Sequence, residues 1–202
     1  MALWRGKSPL ILASQSSARK MLLANAGLES KAITADIDER AIQAASKLSR
    51  PHEVASLLAS EKAKAVSAHH PGSYVIGADQ TLALGERLFN KPTGRDQAMA
   101  QLRDLAGNSH ELNSAVAVAH DGKIVFEDVT VARMTMRQMT EAELSAYLDA
   151  AGDAVTTSVG AYQLEGLGIH LFERIEGDHF TILGLPLLPL LAFLRRERLV
   201  EV

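Results

Sequence analysis

The stretch Tyr74-Val75-Ile76-Gly77-Ala78-Asp79-Gln80 constrains the fold of this chain more than any other. Its apolar start predicts a buried strand. Gly77 and Ala78 then predict a tight turn, which would leave Asp79 at the strand's end. In α/β proteins, ligands bind at the carboxyl ends of strands. A carboxylate there can hold a metal or take a proton from water. On its own, Asp79 reads equally well as a turn residue, because Asp is common in turns for local reasons. The balance depends on what accompanies it along the chain.

Leu10 to Ala13 predicts a first strand. The polar Ser14 to Ser17 follows, then a helix over Ala18 to Ala26 ended by Gly27. A polar turn feeding a helix is a natural anion site, because its free N–H groups point outward. Lys31 to Ala35 predicts a second strand. Pro51 to His70 predicts an amphipathic helix, with Val54, Leu57, Leu58 and Ala65 on one face and Lys62 at its edge. Beyond Asp79, Thr81–Leu84 and Arg87–Phe89 flank Gly85-Glu86 as a hairpin. Thr93 is placed to cap a helix running to Leu105. Asp121-Gly122 marks a second hairpin between Ser114–Ala119 and Lys123–Met136. Thr140 and Glu143 form a capping-box pattern for a helix to Ala150. Gly160 to Phe172 predicts strand and loop, and Leu187 to Arg198 a closing helix. Strands and helices mix without strict βαβ alternation, and no linker, repeat or low-complexity segment interrupts them.

The 202 residues suit a single domain, 47% hydrophobic and 22% charged. A net charge of −3 argues against a general nucleic-acid coat but not against a small anion held by a few local cations. The absence of cysteine excludes disulfides, thiolate metal sites and thiol catalysis. The apolar run at Pro9–Ala13 is too short for a signal-peptide core. Thr181–Leu194 is too short to span a bilayer and is interrupted by Pro186 and Pro189. These features predict a cytoplasmic protein without a membrane segment. Gly166-Leu167-Gly168 lacks the rest of a dinucleotide fingerprint. His69-His70 are adjacent and diverge on a helix, so a shared metal is not expected. The basic tail Arg195-Arg196-Glu197-Arg198 reads as a solvated helix end.

Four segments fall in a telling order. They are Leu12-Ala13-Ser14-Gln15-Ser16-Ser17-Ala18-Arg19, then Asp36-Ile37-Asp38-Glu39, then Glu61-Lys62-Ala63 with Gly77-Ala78-Asp79-Gln80, and last Asn90-Lys91-Pro92. Together with Leu105 to His110, Gly160-Ala161-Tyr162 and Gly184-Leu185-Pro186-Leu187, they resemble the Maf family of nucleoside triphosphate pyrophosphatases over nearly the whole chain. The resemblance implies an α/β fold of the Maf/inosine-triphosphatase-like type, a mixed β-sheet with flanking helices and two lobes around a cleft. Gln80 and the segment Glu165 to Arg174 look most like the 7-methyl-GTP pyrophosphatase branch. In the dTTP/UTP branch, Thr usually stands at the position of Gln80 and Gln at that of Glu165. The chain departs from the family at Ser17, where Pro is usual, and at Ala18, where one branch has Arg and the other Trp, so a ring for base stacking is missing.

What the resemblance implies chemically is hydrolysis of the α–β phosphate bond, with water as nucleophile. Such a site must offset phosphate charge, hold a divalent cation and deprotonate water. Asp79 is the candidate general base and a candidate metal ligand. Glu39 is the main candidate ligand for Mg²⁺, with Mn²⁺ as the alternative, and Asp38 could share that role. Read without the resemblance, Asp36 to Glu39 is a solvated acidic loop. Arg19, Lys62 and Lys91 are the candidate phosphate-binding cations, with Ser14 and Ser16 as donors that could instead cap the first helix. Ala18, Gln80 and Glu165 are the candidate specificity positions. A carboxylate at 165 would accept from the guanine N1–H and N2–H₂ edge and complement the positive charge that 7-methylation places on the ring. Tyr162 and Phe172 are stacking partners or core. The expected partners are a small nucleotide substrate, with no nucleic acid and no membrane, and a homodimer stays open. The readings kept beside this one are a dTTP/UTP or broader nucleotide pyrophosphatase, and a nucleotide-sensing regulator of cell division.

Overall fold

The computed structural model describes residues 3–202. Its elements are β1 (Leu10–Leu12), α1 (Ser17–Asn25), β2 (Ser30–Ala32), α2 (Glu39–Ser46), α3 (Pro51–Ser67), β3 (Tyr74–Leu84), β4 (Arg87–Phe89), α4 (Arg95–Leu105), β5 (Ser109–His120), β6 (Lys123–Met136), α5 (Glu141–Ala151), β7 (Phe172–Glu176), α6 (His179–Ile182) and α7 (Leu187–Arg196). Short 3₁₀ turns at Gly152–Thr156, Val159–Ala161 and Leu167–Leu171 lie between α5 and β7. The strands form one mixed, open sheet in the order β2-β1-β3-β5-β6-β7, with β4 paired to β3. β1 runs parallel to β2 and β3, whereas the β3–β4 and β6–β7 pairs are antiparallel. Parallel neighbours cannot be joined by a tight turn, and α1 supplies the crossover from β1 to β2. This is the α/β architecture of a mixed sheet with flanking helices that the sequence predicts.

The chain divides into two compact units. The first holds Met1–Gln80, Ser114–Thr130 and His179–Val202, and the second holds Thr81–Asn113 and Val131–Asp178. In the first unit, strand alternation sorts the core onto two faces. Leu10, Leu12, Ile76, Ala78, Val116 and Val118 pack with Leu22 and Leu23 of α1 and with Leu190, Phe193 and Leu194 of α7. On the other side, Ala55, Ala59 and Ala63 of α3 meet Ala115, Ala117 and Ala119 of β5. The second unit buries Leu102 and Leu105 of α4, Leu144 and Leu148 of α5, and Met134 and Met136 of β6. The Thr140–Glu143 capping box starts α5 as the sequence predicts. Among the described residues, no helix is long and apolar enough to cross a membrane.

Several expectations need correction. Gly77-Ala78 do not turn: β3 runs on to Leu84, so Asp79 sits inside a strand and not at its end. The glycine answers a packing demand instead. A Cβ at Gly77 would strike the Ala59 carbonyl oxygen and stand 2.7 Å from the Ala63 nitrogen, so its absence lets α3 lie directly on β3. Thr93 does not cap α4; Gly94 occupies that position, and the Thr93 N–H donates to Gln97 Oε1 at 3.0 Å. β2 lies at Ser30–Ala32, not Lys31–Ala35. The acidic stretch does not end in a loop, because Asp38 caps α2 and Glu39 opens it. Gly160–Phe172 is mostly 3₁₀ turn, and β7 begins only at Phe172.

Candidate active site

Asp79 and Gly77 project from the face of β3 that meets α3, because they are two residues apart. The alanine face of α3 brings that helix close, and Lys62 is buried on it at 9% exposure. Its Nζ donates to Asp79 Oδ1 at 2.7 Å and pairs with Glu39 Oε1 at 2.9 Å. One ammonium therefore joins two carboxylates from α2 and β3. Asp79 is itself only 8% exposed, whereas the Glu39 side chain remains about half exposed. Burial raises the pKa of Asp79, and the charges of Lys62 and Arg19 oppose that rise without cancelling it. A raised carboxylate pKa moves the group toward the range in which a base can both lose and accept a proton near neutrality.

Arg19 organises the adjoining backbone. Its Nε donates to Gly184 O at 2.7 Å, and its Nη1 donates to Ala78 O at 2.7 Å and to Ser14 Oγ at 3.2 Å. The guanidinium is close enough to feel both the Asp79 and Glu39 charges. Much of its donor fork is thus engaged by the protein itself. Ser16 takes the helix-capping role, its side chain accepting from the Arg19 N–H at 3.4 Å. Ser14 Oγ also accepts from the Ser16 N–H at 3.3 Å. Asp38 is engaged likewise, its Oδ1 accepting from Ala41 N at 3.0 Å as the α2 cap. Ala18 is half-buried at the edge of the α1 core.

Gln80 faces the other side of the sheet. Its Nε2 lies 2.8 Å from Ser114 Oγ and 3.0 Å from the carbonyl oxygens of both Thr181 and Ile182. The amide donors are engaged by this unit's own groups. Sequence reasoning missed these partners. Ser114 is fully buried, and its hydroxyl donates to Thr181 O at 2.7 Å. Gly184, with a φ of +85°, turns the chain so that its carbonyl accepts from Arg19 Nε.

The structure gathers Ser14, Arg19, Glu39, Lys62 and Asp79 in the first unit. Lys91 and Glu165 belong to the second unit, and both are exposed there. Tyr162 is core and not a stacking platform: it is 5% exposed, its hydroxyl is 2.7 Å from His110 Nε2, and Phe172 meets its ring edge-on.

Two carboxylates converging on one cation fit a hard divalent metal that completes its shell with phosphate oxygens and water. Among the described residues, no three His, Cys, Asp or Glu side chains cluster to form a closed protein cage. Glu39 and Asp79 are the two carboxylates available to such an ion.

The chain matches the family model described as Maf-like protein over residues 9–197. It is 89% identical over 202 residues to a nucleoside triphosphate pyrophosphatase of Bradyrhizobium diazoefficiens, with the full length of both chains covered. A Rhodopseudomonas palustris protein of the same description is 64% identical, again over the full length of both. A 7-methyl-GTP pyrophosphatase of Brucella abortus is 51% identical over 194 residues, covering 95% of this chain and 98% of the relative.

Proposed function

This chain belongs to the Maf family, and we propose that, as a nucleoside triphosphate pyrophosphatase, it hydrolyses 7-methyl-GTP to a monophosphate and pyrophosphate. The observation that carries the reading is the buried Lys62 ammonium held between Asp79 and Glu39. Two carboxylates and an ammonium brought together by three separate elements form a polar site that can exchange partners with the phosphates and metal of a nucleotide. The specific base is supported by the Brucella abortus relative and by a carboxylate, not an amide, at position 165.

In this reading Asp79 takes the proton of the attacking water, and burial raises its pKa in the direction that strengthens it as a base. Lys62 holds Asp79 Oδ1 before substrate binds and offers its ammonium to the triphosphate. Glu39 and Asp79 would hold Mg²⁺, which when bound supplies charge to offset the phosphates and lowers the pKa of water. Arg19 fixes the Ala78 carbonyl and so the backbone that carries Asp79. The Ser14 and Ser16 hydroxyls at the start of α1 are assigned to the phosphates, where the helix dipole favours an anion. Lys91 is assigned to the phosphates and Glu165 to the guanine edge. Gln80, with its donors engaged, contributes only an acceptor. The free nucleotides such an enzyme consumes belong to the cytoplasm.

The test is pyrophosphate release from 7-methyl-GTP, GTP, UTP and dTTP, by the wild type and by Glu165→Gln. The wild type is expected to prefer 7-methyl-GTP. Mispairing one polar group costs about 1–3 kcal/mol, so Glu165→Gln should lower the ratio of kcat/KM for 7-methyl-GTP over UTP by roughly tenfold to a hundredfold. A wild type that prefers UTP or dTTP contradicts the base assignment. An unchanged ratio removes Glu165 from base recognition.

A further inference from the structure

We propose that Lys62 is a latch that holds Glu39 and Asp79 closed against a bare divalent cation, so that the site takes its metal as the metal–nucleotide complex. The inference rests on the reading of Glu39 and Asp79 as the metal-holding pair.

Two cations, Arg19 and Lys62, stand against two anions, Asp79 and Glu39. A bare divalent ion approaching this set meets no net negative charge. It also meets an ammonium already 2.7 Å from one carboxylate and 2.9 Å from the other. To gain both carboxylates it must displace that ammonium. Lys62 is buried, and separating one member of a buried pair leaves its charge uncompensated. Lys62 has no cause to leave unless another anion is offered to it.

A triphosphate makes that offer. Its oxygens give the ammonium new partners, and its negative charge offsets what the metal adds. Lys62 suits the exchange because lysine carries a compact charge on a flexible stem. Arg19 does not, because its Nε and Nη1 are fixed on Gly184 O and Ala78 O. Arg19 stays as a standing positive charge while Lys62 moves. Metal and nucleotide then assist each other's binding, and by linkage each tightens the other by the same factor.

The experiment is a Mn²⁺ titration of the full chain followed by electron paramagnetic resonance, on wild type, Lys62→Met and Lys62→Gln. Without nucleotide, the wild type should bind Mn²⁺ weakly and both variants at least about tenfold more tightly, within the usual range of coupling between sites. The α,β-methylene analogues of GTP and UTP should tighten Mn²⁺ binding to the wild type beyond the analogue's own hold on the ion, with a much smaller gain in the variants. Wild-type affinity for free Mn²⁺ equal to that of the variants overturns the latch. Equal wild-type affinity with and without a bound analogue does so too, and that arm decides the matter if the variants do not fold. A wild type that hydrolyses no nucleotide and binds neither analogue refutes the pyrophosphatase reading instead, and the nucleotide-free Mn²⁺ comparison still judges the latch.

Discussion

Lys62 and His110 are both buried ionisable side chains, and the fold treats them in opposite ways. Lys62 lies between two carboxylates that pair with it. His110 is fully buried, has only the Tyr162 hydroxyl on Nε2, and leaves Nδ1 without a hydrogen-bond partner. Burial lowers its pKa from 6.5 to about 4. In that interval the unfolded chain takes up a proton that the folded chain refuses. The stability His110 contributes is therefore whole above pH 6.5 and is lost as pH falls toward 4. The loss amounts to about 3 kcal/mol at 1.36 kcal/mol per pKa unit. Asp79 works in the other sense. Its raised pKa means that stability falls as pH rises from the ordinary carboxylate value through the raised one. His110→Gln removes the histidine titration while keeping a partner for Tyr162. Urea unfolding from pH 7 down to pH 4 should then show a markedly shallower loss of stability in the variant, and parallel curves for the two proteins would contradict the assignment. Neither buried state was legible in the sequence, because a histidine inside a strand carries no local sign of what covers it.

At the scale of elements, the contact of α3 with β3 sets the position of Lys62 against Asp79. It depends on a helix face of Ala55, Ala59 and Ala63 and on the missing side chain of Gly77. Gly77→Ala should cost about 1–3 kcal/mol by overpacking. Because it pushes α3 outward, it should lower turnover as well as the denaturant midpoint; a variant with wild-type values of both would refute the close-approach role. Much of the element pattern was legible in advance. The Thr140–Glu143 capping box, the Asp121-Gly122 hairpin and the proline-led α3 each have a local chemical signature. Gly77 misled because glycine has two uses, turning a chain and admitting a close neighbour, and only the tertiary structure tells them apart. In the acidic stretch, Asp36 and Asp38 are exposed and outside any helix, as a solvated loop would be, and only the start of α2 at Glu39 was not legible.

At the scale of the whole molecule, the order of motifs along the chain gave the family, and the match over residues 9–197 agrees with it. The gathering of Ser14, Arg19, Glu39, Lys62 and Asp79 follows from topology. Parallel pairing of β1 with β3 lets Arg19 join Ser14 to the Ala78 carbonyl, and α3 lies directly on β3 at Gly77. Sequence order alone could suggest these partners but not their distances. The 2.7 Å contact of Lys62 with Asp79 and the engagement of the Gln80 donors emerged only from the folded chain. The central claim is that Asp79 activates water in a fold that is otherwise complete without it. The most direct test is steady-state pyrophosphate release from the preferred nucleotide with Mg²⁺, by wild type and by Asp79→Asn, with nucleotide binding measured in parallel. Asp79→Asn should fold, still bind nucleotide, and lose at least about a hundredfold in kcat, as for loss of a general base. Near-wild-type kcat in Asp79→Asn would contradict the claim.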